Sequence, residues 1–220
     1  MEAPFHKVNR RSESESANPS LRERIRETTA QAILEAAEEV FADQGLHSAH
    51  MGEIAARAGV AVGTLYNHFK DREALLAGLL AARRAELLAR LDQALREAHD
   101  RPFREKLRVL LRAMLANAED HRKLFHILWQ GEVSRLEEAF PSACHKPAEM
   151  LREIFGRVDK VMKQGLREGA IRDDVGDLAS VLFMGMVRAL AVRAFVLRLE
   201  VDFRAETDRL LLFFLKGAGT

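Results

Sequence analysis

The segment from Gly59 to Leu76, GVAVGTLYNHFKDREALL, concentrates hydrogen-bonding side chains in a short stretch. It carries a hydroxyl, a phenol, a carboxamide, an imidazole and an ammonium group. These groups belong to Thr64, Tyr66, Asn67, His68 and Lys70. A carboxamide can pair with adenine through two hydrogen bonds, and the other groups can donate to phosphate oxygens. The chemistry that these residues suit is recognition of a nucleic acid.

A short helix would place these side chains on one face. At about 100° per residue, Leu65 and Phe69 lie on one side, with Val62 near them, and this side is predicted to face a core. The polar residues lie on the other side. Another short helix, Met51 to Ala58, comes before it, and Gly59 allows a sharp turn between the two. Two short helices joined in this way describe a helix-turn-helix.

Helical periodicity continues through most of the chain. A first helix is predicted from Leu21 to the residue before Gly45, with an apolar stripe that runs from Ile25 to Phe41. The later helices are predicted at 63–69, 72–98, 102–118, 120–130, 147–168, 175–199 and 203–216. Asp174 and Asp177 are interpreted as an N-terminal cap of the helix 175–199. No segment gives a convincing strand, so the fold class is predicted to be all-α.

Composition limits the class of protein. The net charge is only +1, from 34 basic and 33 acidic residues, so bulk charge gives no support to nucleic-acid binding. The single cysteine, Cys144, fits a reducing compartment. Arginines interrupt the long apolar runs, and the N-terminus lacks the apolar core of a signal peptide. We therefore expect a cytoplasmic protein without a membrane span.

The stretch MGEIAARAGVAVGTLYNHFKDREALL resembles the DNA-binding signature of the TetR family of bacterial transcriptional regulators, over about residues 22–76. The resemblance implies an N-terminal three-helix DNA-binding domain and a larger helical domain for effector binding and dimerisation. It also implies a dimer formed through the last two helices, and repression released by a small molecule. Two positions depart from the family pattern. His50 or Met51 replaces a capping Thr or Ser, and Ala61 stands where Ser is frequent.

Three parts of the chain are distinguished. Residues 1–19 are predicted to be a disordered arm, in which Arg10 and Arg11 either reach a minor groove or are simply solvated. Residues 20–71 are predicted to form the helix-turn-helix domain, and residues 72–220 the effector-binding and dimerisation domain.

The predicted DNA contacts surround the third helix. They are Val62, Gly63, Thr64, Tyr66, Asn67, His68 and Lys70. Asn67 would read a base, Thr64 a base or a phosphate, and Tyr66, His68 and Lys70 would donate to phosphate oxygens. The amides at the start of the helix near Arg72 are also expected to face a phosphate. Two alternatives stay open: Tyr66 as an aromatic cover of the domain core, and Asn67 as a solvated polar residue.

The effector pocket is predicted among apolar side chains of the second domain. The candidates are Phe103, Leu107, Leu111, Phe125, His126, Trp129, Phe155, Met162, Met184 and Arg188. His126, Trp129 and Arg188 are the possible polar anchors for a small, largely apolar effector, although each apolar candidate also suits ordinary core packing. A further set of residues raises the possibility of a metal site. His121, His126, Cys144 and His145 lack compact ligand spacing, so structural or solvent-facing roles are preferred. No metal, cofactor or catalytic residue is predicted.

The dimer interface is predicted on two apolar stripes near the C-terminus. The candidates are Leu178, Leu182, Gly185, Ala189, Val192, Val196, Leu199, Leu210, Phe213 and Phe214, with Phe203 on the second stripe. Gly185 and Ala189 would let two helices approach closely, forming a four-helix bundle. The alternative is that the stripes pack only inside the subunit.

The predicted function is a dimeric transcriptional regulator, a repressor released from a palindromic double-stranded DNA operator by a small effector. Two alternatives remain: a regulator controlled by a protein partner without a small-molecule effector, and a helical enzyme with a vestigial DNA-binding domain.

Overall fold

The computed structural model describes residues 20–127, 147–197 and 199–219. These ranges contain helices α1 Leu21–Gln44, α2 Met51–Arg57, α3 Val62–His68, α4 Arg72–Glu97, α5 Phe103–Asp120, α6 Arg122–Ile127, α7 Pro147–Arg167, α8 Leu178–Ala191 and α9 Phe203–Ala218. A π-helical turn, Val192–Val196, continues α8. No strand occurs within these ranges, and the all-α prediction is confirmed.

The ends of α1 follow from local chemistry. The Ser20 hydroxyl accepts from the Glu23 amide at 3.3 Å, while Glu23 accepts from the Ser20 amide at 2.6 Å, so the two residues form a capping box. Gly45, with φ +81°, ends the helix. The predicted apolar stripe is buried at Ile33 and Phe41 but wrong at Ile25, which is 58% exposed. The first two turns of α1 are exposed on all sides, and none of the described helices covers Ile25.

Two buried clusters divide the helices. The first consists of residues between Ile33 and Leu79, joined by Leu124 from α6. The second extends from Leu91 to Ala218 and includes α5 and parts of α7, α8 and α9. The helix α4 contributes to both clusters, so the boundary that we propose between residues 71 and 72 falls at the start of a shared helix.

The short helix α6 also connects the two clusters. Leu124 is 2% exposed and lies in the first cluster. The next side chain, Phe125, packs against the second cluster and stacks on Phe195, with 5.4 Å between ring centroids. Phe195 lies in the π-helical turn that follows α8. Neighbouring side chains of one helix therefore pack into different cores.

The turn before α8 differs from the prediction. The helix begins at Leu178 rather than near residue 175, because residues 173–177 form successive turns and Gly176 has φ +43°. The side chain of Asp177 makes no capping bond, and Asp174 accepts from the Arg172 guanidinium at 3.1 Å instead. The spacing of Asp174 and Asp177 matches that of a helix cap, but both residues lie in the turn before the helix.

The segment Leu178–Phe195 contradicts one expectation from the sequence. Its mean hydropathy is 1.7 over 18 residues, enough by length and composition to cross a membrane. Arg188 and Arg193 therefore do not interrupt every long apolar run. Within the described ranges this is the one segment of its kind, and a single such helix also occurs in proteins that span no membrane.

Gly165 of α7 lies against the ring of Phe103, the first residue of α5. A Cβ atom there would lie 2.8 Å from two ring carbons of Phe103 and 2.9 Å from Cδ1 of Ile171. Gly165→Val is therefore expected to lower the free energy of unfolding by about 1–3 kcal/mol, because the core is overpacked. Urea denaturation measures this loss.

Gly156→Val is the matched control on the same helix. Gly156 is exposed, and a Cβ atom there meets nothing within 4 Å. Equal unfolding free energies for the two variants would contradict the packing argument.

Candidate nucleic-acid interface

The helix α3 is held by its inner face. Leu65 is fully buried. The ring of Phe69, just after the helix, lies against Gly78 of α4, where a Cβ atom would be only 2.7 Å from Phe69 Cε1. Val62 does not join this core as the helical projection suggested, since it is 46% exposed at the first turn. The missing side chain at residue 78 thus allows α3 to lie close to α4.

All seven predicted DNA-contacting residues are at least partly accessible. Thr64 and His68 are half-buried, and the others are exposed. Tyr66 is 49% exposed, so it does not serve as a buried core cover. The Lys70 ammonium lies 3.7 Å from Asp71 in an exposed pair, which is a weak interaction and can give way to a phosphate.

The two departures from the family pattern leave the starts of α2 and α3 without side-chain caps. His50 and Ala61 precede α2 and α3, and neither side chain makes a capping hydrogen bond. At the start of α4 the Asp71 carboxylate accepts from the Ala74 amide at 2.7 Å. This one amide is therefore already bonded, and the phosphate contact of the α4 amides stays a prediction.

The outer helix α2 is tied to α1 by polar contacts. The Arg57 guanidinium donates to Asp43 at 2.9 Å, and Gln44 donates to Glu53 at 2.7 Å. The hydrogen bond from Arg57 lowers the pKa of the Asp43 carboxyl below its ordinary value. These contacts fix α2 relative to α1 at the surface that carries α3.

The predicted stripe on α8 lies on the helix face that the subunit leaves uncovered. The exposed members are Leu178, Leu182, Gly185, Ala189 and Leu199. Val192 is half-buried, and the side chain of Val196 lies outside the described residues. Val181 is 54% exposed beside this stripe, although the spacing did not select it. Phe183 and Leu190 are buried on the opposite face.

The stripe predicted on α9 is mostly wrong. Phe203 and Phe214 are buried, and Phe214 packs edge-on against Phe183 at 5.5 Å. Leu210 is half-buried, so of these four residues Phe213, at 71% exposure, is the one that lies outward. The face chosen from spacing is the one that packs against the second cluster.

Most candidate effector residues lie in the second cluster. Phe103, Leu107, Leu111 and Met162 are buried there, while Phe125 and Met184 pack against it partly buried. Phe155 is half-buried. Arg188 is exposed on α8, so it does not enter the interior as a polar anchor. Trp129, Cys144, His145 and the side chain of His126 lie outside the described residues.

Two polar features near this cluster were not predicted from the sequence. A surface cleft of about 580 Å³ is lined by Arg122, Glu200, Val201 and Asp202. Asn117 is 2% exposed, and within the described part of the chain its carboxamide oxygen has no hydrogen-bond partner. Neither feature could be predicted from the spacing of residues in the sequence, because each depends on residues that packing brings together.

The fold and this surface define a helix-turn-helix DNA-binding protein. The family model described as bacterial regulatory proteins, tetR family, matches residues 33–79, the same span of chain that supplies most of the first cluster.

Curated relatives extend the similarity beyond that segment. The fatty acid metabolism regulator protein of Bacillus subtilis is 28% identical over 142 residues, covering 64% of this chain and 70% of the relative. The transcriptional repressor KstR2 of Mycolicibacterium smegmatis is 31% identical over 143 residues, covering 65% of this chain and 67% of the relative. The crystal structure of FadR from Bacillus subtilis with stearoyl-CoA superposes with a TM-score of 0.70 at 23% identity, covering 85% of this chain and 98% of that one.

The chain belongs to the TetR family of bacterial transcriptional regulators. It is a ligand-responsive regulator that binds operator DNA as a homodimer. Its relatives are regulators rather than enzymes.

Proposed function

We propose that the protein is a cytoplasmic repressor that leaves a palindromic operator when an effector with a long acyl chain enters its C-terminal half. The observation that carries this proposal is the composition of the second cluster. The buried side chains of α5, α8 and α9 are mostly aliphatic, aromatic or methionine, with Asn117, Ser180 and Thr207 as the buried polar residues of these helices. Such an interior favours an apolar ligand, because burial of apolar surface is the main gain available there.

The cleft supports an entry point for a chain-like molecule. The Arg122 guanidinium lies 5.4 Å from the ring centroid of Phe203 and 5.8 Å from that of Phe195, so the polar cleft borders aromatic rings of the cluster. A ligand lying across this border would place a polar head in the cleft and an apolar tail against the rings. The fatty acid metabolism regulator among the relatives, and the FadR structure with stearoyl-CoA, support an acyl chain as this tail.

Asn117 supports a polar contact along the bound molecule. A buried carbonyl oxygen without a partner costs free energy, and a hydrogen-bond donor on the effector would remove that cost. The effector would then bind one arrangement of the subunit more tightly than another. The free energy of operator binding would change by the difference between these two free energies of effector binding.

The test is release of the protein from DNA by acyl-CoA thioesters of increasing chain length. Each added methylene is expected to lower the half-maximal concentration about fourfold until the site is full, since a buried CH₂ contributes about 0.8 kcal/mol. Operator binding is followed by fluorescence anisotropy on a duplex selected from random DNA.

Free coenzyme A and the matching fatty acids are the controls. Release by the acids as well would assign the polar head to a carboxylate, and release by thioesters alone would assign it to the coenzyme. A release that does not depend on chain length, or no release by either series, would contradict the acyl effector.

A further inference from the structure

Charged side chains from three parts of the chain meet where the two clusters adjoin. We call them the joint cluster: Glu38 of α1, Arg83, Glu86 and Arg90 of α4, Asp120 of α5, and His121 between α5 and α6. The side chains of His121 and Glu38 are only 10% and 11% exposed. The contacts are therefore shielded from water more than those of a surface ion pair.

Both ring nitrogens of His121 face carboxylates. Nδ1 lies 3.2 Å from an oxygen of Glu38, and Nε2 lies 3.1 Å from an oxygen of Glu86. A neutral imidazole has one N–H donor, and ionised carboxylates only accept. Two hydrogen bonds in this geometry therefore need the imidazolium form.

The arginines complete the cluster. Arg83 donates to Glu38 at 2.7 Å and to Glu86 at 3.2 Å. Arg90 donates to Glu86 at 2.6 Å and to Asp120 at 2.5 Å. Three carboxylates thus face two guanidinium groups and one imidazole, and the charges balance only when the imidazole carries its second proton.

Glu86 is held ionised in this setting. Burial by itself would raise the pKa of the Glu86 carboxyl. The hydrogen bond from Arg90, together with the charges of His121, Arg90 and Arg83, lowers the pKa below its ordinary value.

The other charged groups nearby have partners elsewhere. On α1, Glu39 and Asp43 face Arg57. On the α6 side, Arg122 pairs with Glu119, and Lys123 is exposed. None of them replaces His121 between Glu38 and Glu86.

The place of His121 in the chain gives these contacts a role in DNA binding. The residue joins α1, which belongs to the reading head (α1 to α3), to α4, the helix shared by both clusters. It also directly precedes α6, whose Leu124 and Phe125 pack into the first and second clusters. His121 therefore lies between the elements that connect the reading head to the C-terminal half.

We propose that His121 is a protonation-dependent clamp, which as an imidazolium ties α1 to α4 and holds the reading head in its DNA-binding orientation. When the imidazole is neutral, one of the two bonds is lost and a carboxylate faces a nitrogen lone pair. The reading heads of the dimer then sample more orientations. Binding to two half-sites at once therefore costs more conformational entropy, because both heads must be fixed in one orientation. Operator affinity falls as pH rises.

The experiment compares wild type with His121→Gln and His121→Lys. Affinity for the selected operator duplex is measured at about pH 6 and about pH 8.5, on either side of the range in which imidazole titrates, at constant ionic strength. Wild type is expected to lose affinity by roughly five- to tenfold, the lower part of the usual range of coupling between sites. The glutamine variant should bind weakly at both pH values, and the lysine variant, charged at both, should bind tightly at both.

His99→Gln is the matched control. The imidazole of His99 also lies beside a carboxylate, 2.7 Å from Asp100, but its side chain is 82% exposed and lies beyond the end of α4. This variant should keep the pH dependence of wild type, including any contribution from His68 at the DNA surface. Circular dichroism at the assay temperature reports whether each variant is folded.

Two results would overturn the proposal. One is a wild-type pH dependence in His121→Gln or in His121→Lys. The other is a wild-type affinity that rises with pH, because the clamp would then hold an orientation that does not bind. A purely structural role would lower the melting temperature of the glutamine variant and leave the pH dependence unchanged.

Discussion

Replacing Gly185 with tryptophan is expected to split the homodimer and to weaken operator binding by about 10²- to 10⁴-fold, the usual gain from engaging two linked sites together. Gly185 lies on the uncovered apolar face of α8 that we propose as the dimer interface, between the exposed Leu182 and Ala189. In a symmetric dimer each subunit contributes one indole, so two bulky side chains would have to fit into the same interface. Sedimentation at low micromolar concentration measures the dissociation.

The subunit itself has room for the change. A Cβ atom at Gly185 meets nothing within 4 Å, so the variant should keep its helical circular dichroism. Gly156→Trp is the matched control, because that glycine is equally open but lies on a different helix, α7. A Gly185→Trp protein that still sediments as a dimer would place the interface elsewhere.

Asn67→Ala is expected to abolish the preference for one base in each half-site of the operator. A bidentate contact to adenine contributes about 1–3 kcal/mol, so the loss over two half-sites is about 2–6 kcal/mol. The exposed position of Asn67 on α3 makes this contact possible. Selection of operators from random DNA, by wild type and variant side by side, shows which base position loses its preference.

Lys70→Ala provides the contrast. The Lys70 side chain is 84% exposed, and loss of a phosphate contact should weaken binding to every sequence alike. The slope of log affinity against log salt should decrease by about one for each lost lysine contact. Lys163→Ala, an exposed lysine on α7, should change neither quantity. If Asn67→Ala selects the wild-type operator with unchanged affinity, the base-reading role is wrong.

The features that could be predicted best from the sequence are those that depend on residues close together in the chain. Gly45 and Gly59 both have positive φ, as expected of glycines at the end of α1 and in the turn before α3. The polar face of α3 could be predicted for the same reason, because Leu65 alone indicates which side is buried.

Features that depend on distant residues could not be predicted. Spacing on α9 gave a stripe without showing which side packs inward, so Phe214 was assigned to the interface although it lies against Phe183. His121 was considered for a metal on the basis of its neighbours in sequence. Its partners Glu38 and Glu86 lie 83 and 35 residues away, and only folding brings them together.

Leu124 makes the DNA-binding half a discontinuous unit of the chain. The family model ends at residue 79, and a fragment that ends there or with α4 would lack this leucine. Removing a buried leucine side chain costs about 2–5 kcal/mol in a typical core, a large part of the stability of a small domain. Recombination between regulators at α4 would therefore exchange operator specificity only when the new C-terminal half brings a side chain that fills the same space.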